Sequence, residues 1–189
     1  TFAPSDGWSL APNANVAYAW VSPLQLTSYA HQSDPSGGTM KIEPAQTAIV
    51  TGASGGIGPA IVEKLAKRGL NIVLAARSYD ALEEVARPHR VEGQRIVSLP
   101  VDLTDRNGPV DLIKRARATI GSIDILINNA GVFSPGYFED TTDDELDHMV
   151  ALNITSLMRL TRLALPDMLR RNKGHIVNMG SLAGLGAAP

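Results

Sequence analysis

From residue 40 onward, short apolar runs alternate with stretches whose apolar residues recur at helical spacing. Residues 47–50, 71–75, 95–101, 123–128 and 176–179 have the length and β-branched content of buried strands, and residues 60–68, 81–86 and 110–120 between them read as amphipathic helices. In the first helix Ile61, Val62 and Leu65 share one face, and Gly69 stands where that helix should end. Thr142 followed by Glu145 has the form of a capping box, so a long helix is expected to start there and reach about residue 171, with a kink at Pro166. On it Leu152, Leu160 and Leu163 are expected to stay uncovered unless a partner buries them. Alternating strands and helices predict βαβ units on a parallel sheet with helices on both faces, the doubly wound α/β class in three layers.

Residues 1–39 break this rhythm. They hold Pro4, Pro12, Pro23 and Pro35, both tryptophans, and no lysine or arginine. The expectation is an extension outside the domain, with residues 40–189 as the folded unit and Met40 as the true start of the protein. The segment has no basic stretch ahead of its apolar patch at 16–21, as a signal peptide would, and no arginine, as a mitochondrial presequence would. A chain of 189 residues with 44% hydrophobic and 19% charged residues fits one globular domain. A net charge of −2 supplies no general field for nucleic acid or an anionic membrane, so neither is expected as a partner. The absence of cysteine removes thiolate chemistry and disulfides and fits a cytoplasmic location. His31, His89, His148 and His175 are dispersed, with no spacing that would assemble a metal site.

The strongest chemical signal is Thr51-Gly52-Ala53-Ser54-Gly55-Gly56-Ile57-Gly58, placed directly after a strand and opening a helix. A phosphate needs backbone N–H groups and a helix N-terminus aimed at it, and residues without a Cβ let the chain turn and approach closely enough. No Gly-Lys-Ser/Thr follows, which excludes a Walker-type phosphate loop. Three further features lie downstream: Asn128-Asn129-Ala130-Gly131 at a strand end, Asn153 inside the long helix, and Ser181 after the last strand.

In this order these motifs resemble the short-chain dehydrogenases/reductases. The similarity runs over about residues 43–189 and is especially close at 174–185, where it is to the ketoreductase-type branch that includes acyl-carrier-protein reductases. The resemblance implies a Rossmann-type sheet, here incomplete at about five strands and lacking the last two. It implies hydride transfer between a nicotinamide cofactor and a carbonyl or alcohol of a small molecule, and a homodimeric or homotetrameric complete protein. It also implies cofactor contacts from Gly52, Ser54, Gly55, Gly56, Ile57 and Gly58, from Asp102 with Leu103 beside it, and from Asn129, Ala130 and Gly131, with Asn128 structural. Asp102 reads equally well as a cap on the turn that follows it. Ala76 stands where relatives that prefer NAD carry aspartate, and Arg77 follows, a cation suited to a 2′-phosphate, so NADP(H) is expected over NAD(H).

For catalysis the resemblance implies that Ser181 hydrogen-bonds the substrate carbonyl and that Asn153 holds a water in a proton relay. The family also uses a tyrosine as general acid with a lysine four residues on, about thirteen residues past the position of Ser181. Neither lies within the 189 residues, and Tyr137 has no lysine four residues later. The chain by itself is therefore expected to be an inactive fragment. A non-catalytic dinucleotide-binding or sensor module and a degenerate product with no stable fold are the alternatives.

Overall fold

The computed structural model describes residues 16–21 and 46–181. Six strands form one parallel sheet: β1 (Val16–Val21), β2 (Thr47–Thr51), β3 (Asn71–Ala76), β4 (Ile96–Pro100), β5 (Ile125–Asn128) and β6 (Gly174–Met179), in the spatial order β1-β6-β5-β2-β3-β4. From β2 the chain steps outward through β3 and β4, then crosses back to place β5 on the other side of β2. The ends of β2 and β5 thus flank the point where strand order reverses, which in open α/β sheets is where a crevice forms.

Both faces of the sheet are covered. Along β2 and β3 successive side chains point to opposite sides. Ile49, Val73 and Ala75 enter one core with Leu112, Ala116, Leu160, Ala164 and Met168 from α3 (Gly108–Ile120) and α5 (Leu157–Arg170). Ala48, Val50, Ile72 and Leu74 enter the other, against Ile61, Val62 and Leu65 of α1 (Gly58–Ala66) and Leu82 of α2 (Tyr79–Ala86). Burial on both faces explains why these strands read as continuous apolar runs. The expected strands and helices are all present, with ends shifted by a few residues. The turn at Gly69 has φ +79°, as a helix-ending glycine requires.

The long helix departs from expectation in two ways. Its capping box is formed, with the Thr142 hydroxyl accepting from Glu145 N–H and the Glu145 carboxylate accepting from Thr142 N–H. From there α4 (Asp143–Val150) passes through a π-helical turn, Ala151–Ser156, into α5, which continues through Pro166. The π-helical turn at 151–156 thus changes the backbone hydrogen bonding ahead of the proline. The apolar residues expected to be uncovered face inward: Leu160 is buried, and Leu152 and Leu163 pack on the core. The exposed apolar residues of this helix are Val150, Ile154, Met158 and Leu169.

A further correction concerns residues 1–39. Val16–Val21 is the edge strand, paired in parallel with β6 from Val16 opposite Gly174 to Val21 opposite Met179, so these six residues stand in the sheet and not outside the domain. The remaining residues of that extension, and the proposed start at Met40, lie outside the described residues.

The amino ends of the strands are tied by polar groups. Asp124, buried just ahead of β5, accepts from Thr47 N–H at 3.0 Å and from Arg171 Nη1 at 2.7 Å. Arg171 also donates to the Ile123 carbonyl at 2.7 Å and to Asp167 at 3.0 Å. Next to this network, burial pushes the His175 imidazole below its ordinary value of 6.5, with Lys173 acting in the same direction and Asp124 opposing. Because the folded value is lowered, the unfolded chain binds more protons as pH falls through and below 6.5, and stability declines in that window.

Two outcomes are expected. Moving from about pH 7.5 to about pH 5.5 should lower the melting temperature of the wild type by roughly 2 °C more than that of His175→Phe; equal losses would remove His175 as the cause. Deleting residues 1–39 bares the β6 edge and should lower the melting temperature by roughly 2–4 °C for each kcal/mol of lost pairing. An unchanged melting temperature would show that β1 contributes nothing to the domain.

Candidate functional site

The glycine loop is built around a close approach between two strand ends. Gly52, at φ +62°, ends β2 so tightly against β5 that a Cβ there would stand 2.8 Å from Ala130 Cα and 3.0 Å from Ala130 N. Beside it the buried Thr51 hydroxyl accepts from the backbone N–H groups of Asn129 and Ala130, both at 3.0 Å, and donates to the Ile127 carbonyl at 3.2 Å. Asn129 completes the brace, its side-chain amide donating to the carbonyls of Thr51 at 3.0 Å and Gly52 at 3.1 Å. Gly58 packs as closely in the other direction, where a Cβ would collide with the Gly52 carbonyl and Ala53.

Gly55 is different. A Cβ there would meet nothing within 4 Å, so its backbone borders open space at the start of α1. That helix has no side-chain cap at Ile57 and no acidic residue in its first turn. Gly58 N–H is used on the Gly55 carbonyl and Pro59 has none, so the helix start offers an anion the N–H groups of the loop ahead of it and the positive end of its dipole, without competition from a carboxylate. The donor set and the space both fit the pyrophosphate of a dinucleotide.

The space continues as a cleft of about 360 Å³ across the carboxyl ends of the strands. Gly52, Ser54 and Gly55 line it from the glycine loop, Ala76, Arg77 and Ser78 from the end of β3, and Asp102, Leu103 and Thr104 from beyond β4. Ala130, Gly131 and Val132 close it from β5, and His148 and Leu152 from the long helix. Arg77 is exposed on this wall, and no acidic side chain precedes it at position 76. Asp102 accepts at Oδ1 from Thr104 N–H at 2.9 Å and from the Thr104 hydroxyl at 2.7 Å. The Thr104 hydroxyl, then its N–H, hold the Asp102 carboxyl below its usual range. Asp102 therefore caps its turn and borders the cleft at once, with Oδ2 left outside both of these bonds.

Not every residue singled out in the sequence reaches the cleft. Gly56, at φ +56°, supplies the turn, Ile57 packs against the core, and Gly58 supplies close packing. Asn129 braces the loop from behind. Asn128 is buried, donating to Asn178 Oδ1 at 2.8 Å and Thr161 Oγ1 at 3.3 Å. Asn153 lies in the π-helical turn and bonds one residue through both polar atoms of its amide, accepting from Val132 N–H at 2.9 Å and donating to the Val132 carbonyl at 2.7 Å. It thereby holds the backbone that follows Gly131. Ser181 is exposed just beyond β6, on the same end of the sheet. Thr51, Thr104, Val132, His148 and Leu152 were given no role at the site from the sequence. For Thr51 a signal existed, a hydroxyl directly ahead of the first glycine of the loop; for the others none stands apart from the surrounding helix and loop.

The profile of the short chain dehydrogenase family matches residues 46–189. An uncharacterized oxidoreductase of Staphylococcus aureus is 37% identical over 145 residues, covering 77% of this chain and 62% of the relative. The ketoacyl reductase HetN of Nostoc is 36% identical over 139 residues, 74% of this chain and 48% of that protein. Among solved structures, a short chain dehydrogenase/reductase from Burkholderia phymatum in complex with NAD superposes with a TM-score of 0.74 at 30% identity, over 79% of this chain and 54% of that one. The chain thus spans about half to three-fifths of the length of these relatives. Glycine loop, switch-point crevice and profile agree: the chain belongs to the short-chain dehydrogenase/reductase family, with a ketoacyl reductase among its relatives.

Proposed function

We propose that this chain is the nucleotide-binding part of an NADP(H)-dependent oxidoreductase that reduces a carbonyl, or oxidises the corresponding alcohol, of a small molecule. The observation that carries the reading is the single cleft in which the open backbone at Gly55, the exposed guanidinium of Arg77 and the Asp102 turn face one ligand space. These positions suit, in order, a pyrophosphate, a ribose 2′-phosphate and an adenine amino group. A 2′-phosphate carries charge that an aspartate at position 76 would repel; here that position is Ala76, and Arg77 offers a fork of donors. No helix among the described residues is long and apolar enough to cross a membrane.

The nicotinamide, when bound, would give hydride to a carbonyl carbon or take it from an alcohol. The chain's own contribution is positioning. Asn153 fixes the backbone at Val132 and so shapes the wall beyond Gly131. Ser181, just beyond the carboxyl end of β6, would donate to a carbonyl oxygen. A proton must also reach that oxygen, and none of Tyr18, Tyr29, Tyr79 and Tyr137 has a lysine four residues on. A phenol with an ordinary value near 10 is a weak participant at neutral pH without a neighbouring cation. This absence favours the second reading for these 189 residues taken alone: dinucleotide binding without turnover.

Titration calorimetry of the 189-residue chain should give a tighter Kd for NADPH than for NADH. Arg77→Ala should weaken NADPH by about tenfold or more, the worth of one charge-assisted contact, and leave NADH nearly unchanged. Equal affinities for the two in the wild type would end the NADP assignment. The same chain, mixed with NADPH and a panel of small ketones and ketoacyl thioesters, should show no oxidation of NADPH, since loss of general acid catalysis alone costs about 10²–10⁴-fold. Steady turnover that disappears in Ser181→Ala would show that a proton donor has been overlooked.

A further inference from the structure

His148 is exposed, its imidazole makes no hydrogen bond among the described residues, and it stands where two hollows meet. One hollow is the nucleotide cleft; the other, of about 300 Å³, lies between the loop after β5 and α4 and is bordered by Phe133, Ser134 and Glu145. Among the residues after Val132 on the long helix and its leading loop, His148 alone lines both.

Its placement is set from both ends. At the start of α4, Glu145 is held by the capping box and accepts from the Ser134 hydroxyl at 3.0 Å, which locks the first turn to the loop. Glu145, His148 and Leu152 follow at spacings of three and four and so share one face. Below them the π-helical turn is tied to Val132 through Asn153. Between these two fixings the helix cannot slide, and the imidazole is presented to the cleft opposite the turn of Asp102 and Thr104. Arg77, Asp102 and Thr104 line the same cleft as His148.

We infer that His148 is a positioning residue for the adenosine end of the dinucleotide, its ring forming the wall against which the base lies while the Asp102–Thr104 turn meets the edge of the base. The inference deepens the nucleotide reading and rests on it. The ring supplies a flat face, and a base stacks on such a face without regard to a 2′-phosphate. Arg77 serves the phosphate. The two residues therefore divide recognition of one nucleotide between base and charge.

The test is calorimetric titration of the 189-residue chain with adenosine 5′-monophosphate, adenosine 2′,5′-bisphosphate, NADPH and nicotinamide mononucleotide. His148→Ala should weaken the three adenosine ligands by a similar factor, about five- to thirtyfold, and leave the mononucleotide unaffected. His148→Phe, which keeps a flat ring, should restore most of the loss. Arg77→Ala should instead spare adenosine 5′-monophosphate and weaken the two ligands with a 2′-phosphate. Because His148 is exposed, both His148 variants should keep the wild-type melting temperature. Wild-type affinities in His148→Ala would overturn the inference and leave the nucleotide reading standing. A loss confined to the 2′-phosphate ligands, or one that phenylalanine does not repair, would overturn the stacking role. If the wild type binds none of the adenosine ligands, the nucleotide reading falls and this inference with it.

Discussion

Everything at the functional end of this domain depends on two strand ends meeting with no room between them. The Gly52 backbone lies against Ala130 at a distance that excludes even a methyl group, and the Thr51 hydroxyl and Asn129 amide convert that contact into five hydrogen bonds, namely Thr51 with Asn129, Ala130 and Ile127, and Asn129 with Thr51 and Gly52. Each such bond is worth only about 1 kcal/mol net, but an unpaired buried hydroxyl or N–H costs more than the bond supplies. The arrangement is thus all or nothing. It aims the glycine loop and the β5 turn at the same space, and the cleft follows from that.

The polar groups divide between the two ends of the sheet. At the amino ends Asp124 meets Thr47 and Arg171 in a closed network that ties β2, β5 and the end of α5, leaving little for a ligand to use. At the carboxyl ends the polar groups are satisfied on one side only. Asp102 is capped at Oδ1, Arg77 is exposed, and the start of α1 lacks a cap. The charge that shapes the site therefore comes from a few residues and one helix end, in a chain whose overall charge is close to balanced.

The long helix links the cleft to the core. Its inward face carries Leu160, Ala164 and Met168 into the same core as Ile49 and Leu126. The π-helical turn adds slack where Asn153 must reach Val132, a common use of such turns at functional sites. In this way packing of α5 against the sheet fixes the wall beyond Gly131, and α4 carries His148 to the cleft.

The sequence by itself determined the element types, the parallel doubly wound class and the glycine loop, because each is a local property: the period of apolar residues, the capping pair Thr142 and Glu145, and glycines where a strand hands over to a helix. It also singled out Arg77 and Asp102, which both line the one cleft, since both follow a strand end and strand ends were legible. The roles within the motifs were not legible. Gly52 packs while Gly55 stays open, Asn129 braces instead of bordering the cleft, and Asn153 spends its amide on Val132, because those differences depend on which backbone lies opposite across about 20 to 80 residues of chain. The inward turn of Leu152 and Leu163 and the pairing of Val16–Val21 with β6 were missed for the same reason. A helix face and a strand edge are each compatible with several neighbours, and only the packed sheet decides which neighbour is present.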